Sequence, residues 1–411
     1  IKGSQITDTV GSAINLTANA GTTGAGGTIN LAAKSATGDI AFGSGAGAFT
    51  ASAQGGSTSG NGGTISAVAG RNIDVPNAGG SIAVNPLGGN SNGGSITLSA
   101  GNSAAGIVSI GSSLNANGTG SGNGGTISVE YNDPTASNAN RFVIGGVPGA
   151  SGGINGNVTA DAPGNGLGGN ITFRNRDGVT GNDLNLFQDL QGSVSANSGA
   201  GLANLGNITF NQNNASNTLV DVRGPGSLTG KVNASENDVY INPQAADTTL
   251  TVGTVLARNG NAELLVNCTD NSQVIVPIGS SVVSNTGEAR VTGHTITNNG
   301  LIQGQTNVKL LTDILNNNAI ITAVNGDITV NPCSPGDPLA VTLISGSQMN
   351  ANNGNIRFSN INGGGTISVT GPGNVGTNPN GQISFGDGVT PNTVTMNVNR
   401  AVGAVSGVGT T

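Results

Sequence analysis

Hydrophobic and polar residues alternate in a short phrase that recurs along the chain. In residues 124–129, two glycines are followed by Thr126, Ile127, Ser128 and Val129, so the two apolar side chains point to one side and the two hydroxyls to the other. A period of two is typical of a β-strand with one buried face. The phrase stands again, with small changes, at residues 26–31, 62–66, 93–98, 168–173, 206–210 and 364–369. Its recurrence indicates a repeat architecture.

The spacing of the phrase predicts the kind of repeat. Its second glycine stands at positions 27, 63, 94, 125, 169 and 206, so the phrase returns after 36, 31, 31, 44 and 37 residues. Each interval has room for about three short strands, and none contains the i, i+3, i+4 apolar stripe of a helix. In the first interval the predicted strands are residues 28–33, 39–42 and 48–53. Three strands followed by the same phrase describe one coil of an all-β parallel β-solenoid.

Stacked coils place equivalent positions of the sequence in columns. Because neighbouring strands lie about 4.8 Å apart, the isoleucines of successive phrases are predicted to form one buried column. Its members are Ile29, Ile65, Ile96, Ile127, Ile171 and Ile208. Asparagines at the turns are predicted to stack in the same way and to hydrogen-bond along the axis.

Changes in the frequency of Gly-Gly pairs and in coil length divide the chain into three regions. Residues 1–238 carry long Gly/Ser/Asn loops, such as 57–63 and 164–169, which we expect to project from one edge of the solenoid. Residues 239–353 lack Gly-Gly pairs and have shorter coils, and the first style returns in residues 354–411. Because no linker separates these regions, we predict one continuous elongated solenoid domain.

One repeat in the middle region has its own rhythm. Residues 288–302 have a counterpart about 19 residues later, with the corner Asn-Asn-Gly-Leu-Ile at 298–302 and Asn-Asn-Ala-Ile-Ile at 317–321. This rhythm resembles the repeats of filamentous haemagglutinin-type exoproteins, and the Gly-Gly-x-Ile phrases resemble those of large secreted bacterial β-helix proteins. The resemblance covers most of the chain in style, and residues 288–325 as a repeat of the same length. It implies a right-handed parallel β-helix, export to the cell surface, and adhesive or filament-forming roles.

Composition narrows the classes of partner. The 411 residues include 72 glycines and no tryptophan, and 8% are charged, against about 25% in ordinary globular domains. A net charge of −7 argues against nucleic acid, which requires clustered Lys and Arg. No apolar run is long enough for a membrane-spanning helix. The sequence opens at Ile1 directly in repeat-like text, so we expect a processed product or part of a longer chain.

The two cysteines leave two alternatives open. Cys268 and Cys333 each stand in a turn just after a predicted strand, which we interpret as the same corner of the solenoid. About three coils, or roughly 14 Å of axial rise, separate them, whereas a disulfide requires Cα atoms within about 7 Å. A disulfide therefore requires the turn loops to lean across the shorter coils between them. Otherwise the two residues are separate thiols.

Candidate catalytic and metal-binding residues are few. His294 is the only histidine, and a nucleophile–His–acid mechanism would have to pass through it. No Gly-x-Ser-x-Gly elbow accompanies it, so we predict a structural or surface role. Since Cys-x-x-Cys and His/Cys clusters are absent from the sequence, no zinc site is predicted. The prediction is a protein without enzymatic activity, cofactor or metal.

Parallel β-helices can act on polysaccharides, and the carboxylates are the candidate residues for this role. The densest polar run consists of Arg174, Arg176, Asp177, Asp183 and Asp189. Two acids on neighbouring coils can stand at the separation that glycoside hydrolysis requires. The nearby aromatics are Phe173 and Phe187, which alternate with polar residues as core positions do. The sequence therefore favours charges on solvated turns over a sugar cleft.

Two other polar patterns have simple alternatives. Asp39, Asp327 and Asp387 each follow a glycine, but the Gly-Gly-x-Gly-x-Asp array of calcium-binding repeats is missing, which favours turn-forming aspartates. Thr-x-Thr pairs at 249–251 and 295–297 resemble outward ice-binding faces, but they do not recur on every coil.

These patterns predict an extracellular structural β-solenoid that builds a surface fibre or an adhesive stalk. Its first partner would be another copy of itself, stacked head to tail, because such contacts generate open filaments. An alternative is a passive adhesin domain whose loops bind glycans or proteins on host or neighbouring-cell surfaces. A polysaccharide-active β-helix enzyme is a third hypothesis.

Overall fold

The computed structural model describes residues 1–8, 13–42, 49–76, 81–211, 218–359, 365–378, 380–386, 392–407 and 409–410. Two compact units divide the chain, Ile1–Asn233 and Ala234–Thr411. The helical element of the described residues is a single 3₁₀ turn, Leu202–Asn204, and all strands are paired in parallel sheets. The predicted fold class is confirmed: the chain is nearly all β and forms a parallel β-helix. The three-region division at 238 and 353 stays a prediction.

The strands of the first unit are short. In chain order they are β1 (Ile6–Thr7), β2 (Ile14–Thr17), β3 (Thr28–Ala33), β4 (Ile40–Ala41), β5 (Phe49–Ser52), β6 (Thr64–Ala69), β7 (Ile73–Val75), β8 (Ile82–Ala83), β9 (Ser95–Ser99), β10 (Val108–Ile110), β11 (Leu114–Asn115), β12 (Thr126–Tyr131), β13 (Phe142–Ile144), β14 (Gly153–Ile154), β15 (Val158–Thr159), β16 (Asn170–Asn175), β17 (Leu186–Leu190), β18 (Ser193–Ser195), β19 (Asn207–Phe210), β20 (Leu219–Gly224) and β21 (Ser227–Thr229). Strand β22 (Lys231–Glu236) contains the boundary between the units.

Each coil of the first unit contributes one strand to each of three sheets. The repeated phrase forms one sheet, β3-β6-β9-β12-β16-β19. The second strand of each coil joins β1-β4-β7-β10-β14-β13-β17-β20, and the third joins β2-β5-β8-β11-β15-β18-β21. Strand β14 lies between β10 and β13 as an additional strand of one coil, which accounts for part of the longest interval in the sequence.

The phrase sheet carries the isoleucine column. The six isoleucines from Ile29 to Ile208 are paired in consecutive register, and none is more than 9% exposed. A second buried column lies two residues further along each strand and ends in the stacked rings of Phe173 and Phe210, 5.9 Å apart. Burying one such side chain contributes about 1.5–3 kcal/mol, so the unit is stabilised by many similar increments.

Glycine-rich loops of the first unit stack on one another. The N–H of Thr58 donates to the carbonyl oxygen of Thr22 at 2.8 Å, and the N–H of Gly60 donates to Ser91 Oγ at 3.1 Å. Gly60 has a φ of 122°, and a Cβ there would overlap the carbonyl oxygen of Gly24. Glycine is required because backbone lies directly on backbone at this edge.

Asparagine ladders connect the corners of the first unit. Asn85 Oδ1 accepts the N–H of Asn117 at 2.6 Å, Asn117 Oδ1 accepts the N–H of Asp161 at 2.7 Å, and Asp161 Oδ1 accepts the N–H of Asn197 at 2.7 Å. Each side chain thus satisfies a backbone donor of the next coil, which would otherwise be unpaired at a turn.

The strands of the second unit range from two to twelve residues, and most have four. They are β23 (Asp238–Pro243), β24 (Thr249–Ala257), β25 (Ala262–Leu265), β26 (Gln273–Val276), β27 (Ser281–Ser284), β28 (Ala289–Thr292), β29 (Thr295–Asn298), β30 (Leu301–Gly304), β31 (Val308–Leu311), β32 (Ile314–Asn317), β33 (Ile320–Ala323), β34 (Ile328–Asn331), β35 (Leu339–Leu343), β36 (Gln348–Ala351), β37 (Ile356–Phe358), β38 (Thr366–Thr377), β39 (Gln382–Phe385), β40 (Asn392–Val402), β41 (Ala404–Gly407) and β42 (Gly409–Thr410).

Three parallel rows of strands run through the second unit. One row is β23-β25-β28-β31-β34-β37-β39-β41. The long strand β24 pairs with both β26 and β27, and from these grow the rows β26-β29-β32-β35 and β27-β30-β33-β36. The two rows meet again in β38, which pairs with both β35 and β36.

Carboxylates and amides form the corner ladder of the second unit. Asp238 Oδ1 accepts the N–H of Asn261 at 2.8 Å, and Asn261 Oδ1 accepts the N–H of Glu288 at 2.9 Å. Further along, the same kind of bond occurs three times. Asn307 accepts the N–H of Asp327, Asp327 accepts that of Asn355, and Asn355 accepts that of Gln382. Within the core, the fully buried Asn298 donates to Asn317 Oδ1 at 2.8 Å.

Candidate functional site

Four corners of the second unit stack where the chain passes from one row of strands to the next. Seven residues, 266–272, connect β25 to β26, and seven residues, 332–338, connect β34 to β35. Between these loops lie two-residue corners, 293–294 after β28 and 312–313 after β31. Strands β25, β28, β31 and β34 are neighbours in register, so the corners follow one another along the axis. We call these four segments the bridged corner.

A disulfide closes the bridged corner. Of the two alternatives left open by the sequence, the structure has Cys268 bonded to Cys333, with Cα atoms 5.4 Å apart. Cys268 Sγ lies 3.5 Å from the carbonyl oxygen of Leu311, and Cys333 Sγ lies 3.9 Å from that of Gly293. The two long loops therefore lean over the short corners between them, as the axial distance requires.

His294 and Asp313 occupy the two short corners beneath the disulfide. His294 Nδ1 and Asp313 Oδ2 are 3.0 Å apart, with the direction of the hydrogen bond set by the tautomer. Asp313 Oδ1 accepts the N–H of Cys333 at 2.8 Å. The carbonyl oxygen of His294 accepts the Thr312 hydroxyl at 2.9 Å. The histidine, the carboxylate and the bridge are thus held in one hydrogen-bonded unit.

An open depression of about 620 Å³ adjoins this unit. Its lining residues outside the His294–Asp313 pair and the disulfide are Thr269, Asp270, Asn271, Ile314, Ser334, Asp337, Pro338 and Ala340. Hydrogen bonding by Ser272 holds the pKa of Asp270 below its ordinary value, against the opposing effect of burial. The depression therefore presents ionised carboxylate beside an imidazole, an environment that favours cations over anions.

The bridged corner was missed as a site by the reasoning from sequence. One ligating atom each of His294, Asp313 and Cys333 lie within 4.8 Å of one another, although no His/Cys cluster is visible in the sequence. Asp313 follows His294 by 19 residues, and Cys333 follows Asp313 by 20, which is the length of one coil here. Projecting the roughly 19-residue rhythm onto the polar residues would have brought the three together.

The charged residues of the predicted polar run pair with their own loop and with the neighbouring coil. Arg174 pairs with Asp183 and donates to the carbonyl oxygen of Gly181 at 2.8 Å. Arg176 donates to Glu130 Oε2 on the neighbouring coil at 2.7 Å. Arg174 therefore fixes the loop that follows its own strand, and Arg176 joins its coil to the neighbouring one.

The two other acids of that run are also held locally. Asp177 accepts the N–H of Val179 at 2.9 Å and the hydroxyl of Thr180 at 2.8 Å, and these bonds keep its pKa below the ordinary value. Asp189 accepts two contacts from Gln191 Nε2, at 2.7 and 2.8 Å. Asp177 is a turn charge, as the sequence favoured, whereas Asp189 lies in β17 and Asp183 is buried, so the prediction of solvated turns does not describe the whole run.

The Gly-Asp positions serve the coil contacts. Asp39 pairs with Arg71 of the next coil, which keeps the pKa of Asp39 below its ordinary value. Asp327 accepts the N–H of Asn355 at 2.7 Å as part of the corner ladder. Asp387 lies outside the described residues.

One predicted outward pair needs correction. Thr251 is 1% exposed, because burial does not alternate between Leu250 and Gly253 of β24. The pair at 249–251 therefore does not form an outward face. Thr295 and Thr297 are followed on the next coil by Ile314 and Asn316, so threonine does not continue along this column.

Comparison of the chain with protein-family models, with curated proteins and with solved structures gave no match. In the part of the chain that the structure describes, no helix has the length and apolar character needed to cross a membrane. The functional interpretation therefore depends on the coils and on the bridged corner.

Proposed function

We propose that this protein is a structural component of an extracellular surface fibre or adhesive stalk, of the kind implied by its resemblance to filamentous haemagglutinin-type exoproteins. The observation that carries the proposal is the use of polar side chains along both units: they bond one coil to the next. The ladders that start at Asn85 and Asp238 are examples. A net contribution of about 1 kcal/mol for each bond, repeated coil after coil, suits a part that resists unravelling.

The disulfide supports an extracellular location. Disulfides persist in oxidising compartments and are rare where glutathione and thioredoxin keep thiols reduced. Cys268 and Cys333 are separated by 65 residues in sequence, so the bond crosses several coils of one unit. Such a bond suits a protein that works without chaperones outside the cell.

Self-association by stacking follows from the parallel pairing of the coils. Each coil presents to the next a row of backbone donors and acceptors, and the same pairing between copies is heterologous and produces open filaments. At β1, the N–H groups of Ile6 and of Asp8, which follows the strand, donate to the carbonyl oxygens of Asp39 and Ala41 of the next coil. The alternation of a strand directs the N–H of Thr7 to the opposite edge of β1, away from β4.

Electron microscopy and sedimentation velocity at increasing protein concentration test this proposal. We expect filaments for the unaltered chain, and shorter or fewer filaments for Thr7→Pro, which removes the donor that β1 directs away from β4 while leaving the bonds of Ile6 and Asp8 in place. Thr7→Ala is the matched control and should still form filaments. Discrete monomers at all concentrations would contradict the proposal of stacking.

A second candidate function is adhesion through the stacked loops of the first unit. Leu87, Leu167 and Leu202 lie on these loops and are 52%, 53% and 48% exposed. Contiguous exposed apolar area marks contact surfaces, so these leucines are the positions at which the adhesive role of the loops is tested. Replacing the three leucines by serine should abolish attachment to host or neighbouring cells while leaving the far-ultraviolet circular dichroism unchanged. Unchanged attachment would exclude these loops as the adhesive surface.

A further inference from the structure

We infer that the bridged corner becomes a tetrahedral metal site when its disulfide is reduced, and that the site takes a borderline-soft divalent cation such as Zn²⁺. The ligands are Cys333, His294 and Asp313, with Cys268 as the fourth. This role is separate from stacking and adhesion, because it concerns a corner inside the second unit.

The donor atoms are already close together. The ligating atoms of His294, Asp313 and Cys333 lie within 4.8 Å of one another, and Cys268 Sγ is bonded to Cys333 Sγ. Zinc holds sulfur at about 2.3 Å and nitrogen or oxygen at about 2.0–2.2 Å, so its ligands stand roughly 3–4 Å apart. A small contraction therefore brings these three atoms to ligand distances, and Cys268 Sγ starts beside them because it is bonded to Cys333 Sγ.

The contraction requires two ligands that can move and two that are held in place, and the bridged corner has both. Both cysteines lie on seven-residue loops, which can separate the sulfurs after reduction. His294 and Asp313 lie on two-residue corners between paired strands, so they form the fixed half of the site. Asp313 Oδ1 holds the N–H of Cys333 at 2.8 Å, which keeps that sulfur near the imidazole.

The chemistry of the donor set favours zinc over calcium or magnesium. Two thiolates, one imidazole and one carboxylate match the ligands of tetrahedral zinc sites, whereas the hard cations require oxygen ligands. The disulfide removes both thiolates from the set. In the oxidised protein only the imidazole and the carboxylate can bind, which makes the site dependent on redox state.

The reaction balances with an added reductant. A phosphine gives two electrons to the S–S bond, water supplies two protons to the sulfurs and an oxygen atom to the phosphine, and two thiols and a phosphine oxide result. Binding of the divalent cation then displaces the two thiol protons. The long loops, no longer joined by the disulfide, are joined through the metal instead.

Cobalt binding to the full chain tests the inference, since Co²⁺ in such a site has sulfur-to-metal charge-transfer absorption and strong tetrahedral visible bands. In the absence of oxygen, protein reduced with a phosphine should bind one Co²⁺ per chain with these bands, and added Zn²⁺ should remove them. The oxidised protein should show neither band. A reduced protein without the charge-transfer absorption, or an oxidised protein that binds equally well, would overturn the inference.

Variants distinguish the proposed cluster from binding by two thiols alone. His294→Ala and Asp313→Asn should each weaken Co²⁺ binding by about tenfold or more, because changes even in the residues that support metal ligands cost about that much. Asn at 313 retains an acceptor for the N–H of Cys333, so its fold is expected to persist, as circular dichroism can verify. Asp337→Asn, which alters a carboxylate lining the same depression, should bind as the unaltered chain does. Binding that is unchanged in both ligand variants would show that the two cysteines act without the corner and would also overturn the inference.

Discussion

The two units build the same parallel pairing with different corners. In the first unit the repeated phrase returns after 31 to 44 residues, and glycine loops lie backbone on backbone at one edge. In the second unit equivalent positions of one row, Ala262, Ala289, Val308, Ile328 and Ile356, follow one another after 27, 19, 20 and 28 residues. Its bridged corner combines two-residue and seven-residue segments, which are joined by side chains and by a disulfide. Polar side chains join the corners of both units, but the long coils depend in addition on the absence of side chains at their loops, where backbone lies on backbone.

The largest effect is expected in the buried isoleucine column of the first unit. Ile127 is fully buried, and Ile127→Asp places a carboxylate without a partner among aliphatic side chains, at a cost of about 4–5 kcal/mol or more. We expect loss of the strand signal in circular dichroism and rapid proteolysis of the first unit. Ile127→Val, the control, should cost only about 0.5–1.5 kcal/mol. A stable Ile127→Asp variant would contradict the column as a source of stability.

The disulfide should stabilise the second unit selectively. Closing a loop of 65 residues restricts the unfolded chain and is worth about 4 kcal/mol by the chain-entropy relation. The double replacement of Cys268 and Cys333 by serine should therefore lower the denaturant midpoint of the second unit. Limited proteolysis followed by mass spectrometry can locate the sites that become accessible. Cleavage confined to the first unit would contradict the expected selectivity.

Replacing the loop glycine Gly60 should lower the stability of the first unit by more than the exposure of this residue suggests. Gly60→Ala combines a φ of 122° with an overlap against the Gly24 carbonyl oxygen, so we expect a loss of about 1–3 kcal/mol. Gly21 is the matched control: it lies in the same unit, has no positive φ, and has no atom within 4 Å of the position that a Cβ would take. Gly21→Ala should be close to neutral in the same thermal unfolding experiment. Equal midpoints for the two variants would show that the loops do not need to approach so closely.

In the second unit, the test comparable to Gly60 is Asn317, which pairs with the buried Asn298. Asn317→Ala removes the acceptor of Asn298 and a donor to the carbonyl oxygen of Gln348. Leaving these buried groups unpaired should cost about 1–3 kcal/mol. Asn316→Ala changes the outward neighbour in the same strand and should change the denaturant midpoint little. A larger effect at Asn316 would reverse the assignment of the two faces.

Much of this fold was predictable because it depends on periodicity. The predicted strand 28–33 coincides with β3, and the alternation around Ile127 fixes the register of the phrase sheet. The strand predicted at 39–42 is shorter in the structure, Ile40–Ala41, since strand ends depend on tertiary pairing as well as on local sequence. The strand predicted at 48–53 ends one residue earlier, in Phe49–Ser52, and residue 48 lies outside the described residues. The proximity of His294, Asp313 and Cys333 was not predicted, because it depends on corner lengths in three successive coils. The pairing of Cys268 could not be decided for the same reason: the lean of two loops is a property of packing, not of spacing.

The smallest expected effect is a dependence of the second unit's stability on pH, which we attribute to the pair of Glu288 and Lys309. Burial raises the pKa of Glu288, whereas hydrogen bonds from Lys309 and Asn307 and the charge of Lys309 lower it. The lowering effects together are larger, so the pKa lies below its ordinary value. Ionised Glu288 therefore stabilises the folded state above the pKa of the unfolded chain, and this stabilisation is lost as the pH falls through the folded value. Lys309→Gln removes the ammonium group 2.7 Å from Glu288 Oε1 and should flatten the fall of the urea midpoint between about pH 6 and about pH 3. Lys34→Gln, an exposed lysine of the first unit, should leave the midpoint of the second unit unchanged, and an equal change in both variants would point to net charge instead of this pair.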